Sequence, residues 1–147
     1  MSRTVAVGIA TACVVWLSAE SVLAHHAFAA EFDADKPVSF RGTVAKMLWV
    51  NPHSWIYINV KKPDGQLETW AVEGGTPSVL FRRGLTKESL KPGTEVVVDG
   101  YRAKDGSMRA NGRAVTLADG RRLFVGSSGT GAPYELELRS PPDRNRK

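Results

Sequence analysis

Glu73-Gly74-Gly75-Thr76-Pro77-Ser78-Val79-Leu80-Phe81-Arg82-Arg83-Gly84 is the stretch that decides the fold. A strand running from about Leu67 ends at Glu73, and Gly74-Gly75 breaks it. Thr76 then offers a side-chain oxygen as a helix cap and Pro77 fits the first helical position, so a short helix is expected through Val79, Leu80 and Phe81 to Arg83-Gly84. What matters is how many strands fall on each side of that helix.

Upstream, Val38, Phe40, Gly42, Val44 and Leu48 alternate with Ser39, Arg41, Thr43 and Ala45, which predicts a long first strand, with Lys46 out of place on the apolar phase. After a loop at Asn51-Pro52-His53, Ile56, Ile58 and Val60 alternate with Trp55, Tyr57 and Asn59 in a second strand. Pro63-Asp64-Gly65 supplies a turn into the third. Downstream, a turn at Leu90-Lys91-Pro92-Gly93 leads to a fourth strand from Glu95 to Tyr101, and Lys104-Asp105-Gly106 to a fifth near Arg109 to Leu117. Asp119-Gly120 turns into a short piece, Leu123-Phe124-Val125. Three strands, a helix, then two or three strands is the layout of an oligonucleotide/oligosaccharide-binding (OB) barrel, mainly β, over residues 38–125. An SH3-like barrel is the alternative, and it lacks the helix.

Before the barrel, Arg3 and an apolar run from Val5 to Leu17 lead to Val22-Leu23-Ala24, the pattern of a secretory signal peptide over residues 1–24 cut after Ala24. The run is shorter than the roughly 20 residues a membrane-spanning helix needs. Lipoprotein processing at Cys13 is the alternative, opposed by the continuing run Val14-Val15-Trp16-Leu17. Cleavage after Ala24 would leave 147 − 24 = 123 residues, one domain, with no cysteine and therefore no disulfide or thiolate chemistry. The net charge stays at +5 because Arg3 and Glu20 cancel. In a periplasmic or secreted chain that balance reads as solubility, with no nucleic acid as partner and no membrane anchor after cleavage. Residues 25–37 read as a lead-in, and 126–147 as a Gly/Ser-rich linker and basic tail.

His25-His26-Ala27-Phe28, Lys36-Pro37-Val38, Gly42-Thr43-Val44, Trp49-Val50-Asn51-Pro52-His53 and Leu90-Lys91-Pro92-Gly93 together resemble an exported bacterial family, domain of unknown function family 6152. The double histidine and the Asn-Pro-His loop are the most specific parts, and Ala27 stands where many relatives have serine. The resemblance implies an OB-like fold and export, and it brings no activity with it.

Function has to come from residues. His25, freed at the N-terminus by cleavage, would offer an α-amine and an imidazole; with His26 and His53 it forms a candidate metal site of nitrogen ligands, which suit copper first and zinc second. The thirteen residues from His25 to Val38 span enough chain, at about 3.3 Å each, to bring the terminus to the loop. Glu31 and Asp33 are candidate orienting carboxylates, and Glu73 is a strand-end acid beside two glycines. A second constellation, Trp49, Trp55, Tyr57 and Trp70, would suit an envelope protein or a small ligand bound without metal, or else fill the barrel. No nucleophile elbow, phosphate-cradling loop, zinc-protease helix or cysteine–histidine pair is present, so no catalytic residue is assigned; an enzyme is expected only if a bound metal does redox chemistry.

Overall fold

Apolar side chains at every second position need a surface that closes on itself, and the chain provides one. The computed structural model describes residues 27–139. Its elements are α1 (Ala27–Glu31), β1 (Phe32–Leu48), β2 (Trp55–Lys61), β3 (Leu67–Glu73), α2 (Pro77–Arg82), β4 (Glu95–Ala103), β5 (Arg109–Leu117), β6 (Arg122–Phe124) and α3 (Tyr134–Arg139). The expected signal peptide, His25, His26 and the end of the basic tail lie outside the described residues.

The strands form one sheet in the order β3-β2-β1-β4-β5-β6, and a further parallel pairing of β3 with β5 closes five of them into a ring. That connectivity, with α2 between β3 and β4, is the expected OB-like layout. Strand β1 is long because it serves two neighbours: Pro37 to Thr43 pair with β4, and Thr43 to Leu48 pair with β2. Gly42 sits at the crossover between them. A Cβ there would lie 2.5 Å from Ile58 Cγ2 and 2.6 Å from Asn59 O, so only glycine lets the strands cross so closely.

The misplaced Lys46 is explained by a register shift between Val44 and Lys46. Val44 pairs with Ile58 and Met47 with Ile56 on the inner phase, while Lys46 pairs with Tyr57 outside and holds its ammonium 4.5 Å from that ring's centre. One extra residue thus restores the alternation. Inside the ring, Val44, Ile56, Ile58, Val72, Val96, Val98 and Val115 form the core, with Leu80 of α2 and the nearby Leu85 and Leu90 packed against them. Thr76 caps α2 through Val79 N (3.2 Å) with Pro77 in its first turn, as expected.

Two segments differ from expectation. The lead-in, residues 25–37, is partly structured: Ala27–Glu31 is helical and β1 starts at Phe32, which pairs with Ala103. A register shift between Phe32 and Pro37 explains why no alternation is visible there. The Gly/Ser-rich stretch is not a free linker over its first part, because Gly126, Ser127, Thr130, Ala132 and Tyr134 are buried against the outside of the ring. Gly126 lies flat beneath the Tyr134 ring, where a Cβ would be 2.7 Å from Cε2. Phe28, Phe32, Ala103, Ala132 and Tyr134 make a second, external core, flanked by Tyr101 and Phe124.

Candidate functional site

Strand pairing sets up a row of side chains across the outer face. Trp55 of β2 pairs with Glu73 of β3, Glu73 with Asn111 of β5, and Asn111 with Tyr101 of β4. Directly paired residues share a face, and the next row, Ile56, Val72 and Ala110, faces inward. The external core then closes over the Tyr101 end of the row: Phe28 meets the Tyr101 ring edge-on at 5.5 Å and Tyr134 lies alongside it at 6.4 Å. Glu73 and Asn111 are thereby buried although they sit outside the barrel.

His53 comes to this row from the loop after the cis Asn51–Pro52 bond. Its Nδ1 is 3.2 Å from Glu73 Oε1, 3.4 Å from Gly74 O and 3.4 Å from Ser127 Oγ. The Ser127 hydroxyl donates to Gly74 O at 3.3 Å. A carboxylate and a carbonyl are acceptors only, so Nδ1 carries the hydrogen and, in the neutral ring, Nε2 carries the lone pair. Among the described residues Nε2 has no hydrogen-bond partner, and the side chain is about a quarter exposed at 27%.

Asn111 Nδ2 approaches the same Glu73 oxygen, Oε1, at 3.5 Å, and Asn111 Oδ1 accepts from the Tyr134 hydroxyl at 2.7 Å. The phenol oxygen accepts in turn from Ser127 N at 3.1 Å. Burial pushes the Glu73 carboxyl above its ordinary value; the charges of His53 and Arg109 pull the other way, and Glu31 adds to the push. Burial likewise pushes the Tyr134 phenol well above its ordinary value, which keeps it a donor. Beside it, burial opposes ionisation of Glu135, but hydrogen bonds from Gly129 N, Thr130 N and Thr130 Oγ1 hold that carboxyl below its ordinary value.

Serine, histidine and glutamate in one cluster invite comparison with a hydrolase. In a catalytic triad the acid and the hydroxyl occupy opposite imidazole nitrogens. Here both lie at Nδ1, so Ser127 is not poised for attack. The arrangement instead matches the carboxylate–histidine pair that orients a ligand imidazole, with one nitrogen held and the other free.

The remaining expected site residues scatter. Glu31 pairs with Arg109 at 2.5 Å, and the Arg109 guanidinium lies 5.7 Å from the Trp55 ring centre and 5.8 Å from that of Phe32. Asp33 pairs with Lys36 at 3.2 Å and makes no contact with His53. The four aromatics do not share one platform. Trp70 pairs with inward Ile58, is buried and stacks on Phe40 at 4.6 Å, and Trp49 packs against the inner core. Trp55 and Tyr57 sit on the opposite, outer face, each with a cation over its ring. Arg83 binds the folded-back segment through Gly126 O and Ser128 Oγ. Asn111, Ser127 and Tyr134 were not legible as site residues; the one signal was a lone tyrosine after a run of small residues, the composition that lets backbone lie flat on a sheet.

Among the described residues, no three histidine, cysteine or acidic side chains gather as a metal cage, and no helix is long and apolar enough to cross a membrane. The molecule is thus a small ring-closed β protein with a partly buried histidine–carboxylate pair on its outer face. It belongs to the Family of unknown function (DUF6152), whose match covers residues 13–112 and so includes His53, Glu73 and Asn111. The comparisons with curated proteins and with solved structures return no match.

Proposed function

We propose that this is a small exported protein that binds a transition metal, copper before zinc, with His53 Nε2 as one ligand and His25 and His26 of the processed N-terminus supplying the others. The observation that supports it best is the His53–Glu73 pair. A carboxylate at 3.2 Å holds Nδ1 in a cluster closed by Asn111 and Ser127, leaving Nε2 for a ligand. Burying Glu73 costs stability, and perturbed carboxyls of this sort concentrate at functional sites. Phe28, two residues after His26, donates its amide to Thr130 O at 3.2 Å, in the same folded-back segment as Ser127, which touches His53. Amine and imidazole nitrogen suit Cu(II), the strongest binder in the divalent series.

The test is a Cu(II) titration of untagged protein exported from cells, with its N-terminal mass determined and the electron paramagnetic resonance spectrum recorded. A one-to-one signal with nitrogen couplings, lost in His53→Ala and in a chain extended ahead of His25, is the expected result. Weak binding indifferent to both changes would end this reading and favour a metal-free envelope module.

A further inference from the structure

The hydrogen-bond chain behind Glu73 has a fixed direction, and its origin is the folded-back C-terminal segment. Ser127 N can only donate, so the phenol oxygen of Tyr134 accepts from it at 3.1 Å and the phenol hydrogen is left to point elsewhere. It points to Asn111 Oδ1 at 2.7 Å. That choice sets the Asn111 amide, because once Oδ1 faces the phenol the NH2 group faces Glu73. Reversing the amide would place its carbonyl oxygen against the carboxylate, acceptor against acceptor. Asn111 Nδ2 and His53 Nδ1 therefore both point at one oxygen, Glu73 Oε1, at 3.5 and 3.2 Å.

We propose that Tyr134 is a positioning residue for His53: through Asn111 and Glu73 it keeps Nδ1 protonated and Nε2 open to a ligand. The nature of that ligand rests on the metal reading above, whereas the positioning itself does not. Packing alone does not account for a tyrosine at this point. The ring is gripped by Gly126 beneath it and by Phe124 edge-on at 5.4 Å, contacts that phenylalanine would make equally well. Only the hydroxyl reaches the chain, and it makes both of its hydrogen bonds there. Tyr134 ties the folded-back segment to the orientation of one imidazole.

Nitrogen NMR of the metal-free protein with labelled histidine reads the proposal directly, since a protonated ring nitrogen and a lone-pair nitrogen resonate far apart; His53→Gln assigns the signal. In the native chain at a pH where the ring is neutral, His53 shows a protonated Nδ1. In Tyr134→Phe, with the amide spectrum of the barrel preserved, that single tautomer gives way to a mixture and Cu(II) affinity falls about tenfold. Should Tyr134→Phe not fold, Asn111→Ala opens the same chain one link later and gives the same mixture. A native His53 protonated at Nε2, or an unchanged tautomer in a folded variant, overturns the positioning role. Absence of copper binding in the native protein would overturn the metal reading alone, because the tautomer is measured without metal.

Discussion

The two faces of the sheet are built on different terms. Inside the ring, Val44, Ile56, Ile58, Val72, Leu80, Leu85, Leu90, Val96, Val98 and Val115 are buried with no polar side chain among them. Outside, a core of Phe28, Phe32, Ala103, Ala132 and Tyr134 shares its burial with Glu73, Asn111, Ser127, Thr130 and Glu135. The inner face buries apolar area and little else, which stabilises by about 25 cal/mol per Å². The outer face shuts polar groups away from water and must satisfy each with a partner, or lose about 1–3 kcal/mol for each one left alone. Fold and site are thus separable: the inner face specifies the ring, and the outer face spends stability to hold one imidazole.

If that separation is right, the largest loss of stability comes from the inner face and leaves the site untouched. Ile58→Ala is expected to cost about 3 kcal/mol in urea unfolding while Cu(II) affinity, measured well below the unfolding transition, is unchanged. Phe28→Ala should cost less, about 2 kcal/mol, because α1 can peel away locally; hydrogen exchange of the Phe28 amide, bonded to Thr130 O, would rise sharply while inner-strand amides stay protected.

Glu73→Gln sharpens the contrast by changing sign. The folded-state carboxyl is raised above its ordinary 4.5, so its contribution is fully present below the unfolded value and is lost as pH rises through the folded one. Ionised and buried, Glu73 is therefore a liability, and the neutral glutamine should raise stability by about 1 kcal/mol once the pH is high enough to ionise the carboxyl in the fold. Thermal melts should show that advantage growing upward from about pH 4.5 and vanishing below it. The same variant should bind Cu(II) about 10 to 100-fold more weakly. A Glu73→Gln chain that is less stable at neutral pH would make the carboxylate structural and dissolve the comparison. Smallest is Glu31→Gln: its pair with Arg109 is solvent-exposed, and the change should stay within about 0.5 kcal/mol and shrink further in salt.

The inner face was legible in the sequence because its signal is periodic. Ile56, Ile58, Val72, Val96 and Val98 fall on strand phases, and Thr76-Pro77 marks the helix that distinguishes the OB-like order. Where legibility failed, a break in the period was responsible. Lys46 looked like an intruder until the register shift moved it outward, and the shift before Pro37 hid the start of the strand at Phe32. The site was half visible. His53 and Glu73 could be named from their types, but their 3.2 Å contact joins a loop to a strand end across 20 positions, which no local pattern records. Asn111, Ser127 and Tyr134 were invisible for a further reason: glycine and serine are as common in mobile linkers as in backbone pressed onto a sheet, and only the Tyr134 ring above Gly126 tells the two apart.

The parallel pairing of β3 with β5 has one more consequence, for solubility at high concentration. Each strand of the ring is hydrogen-bonded to two others over part of its length, which shortens the ribbon of unpaired amides and carbonyls offered to another molecule. The sheet ends instead at β6, three residues long and including Arg122. A short, charged edge is a poor template for strand addition, and the folded chain should resist edge-to-edge aggregation even when crowded among its own copies.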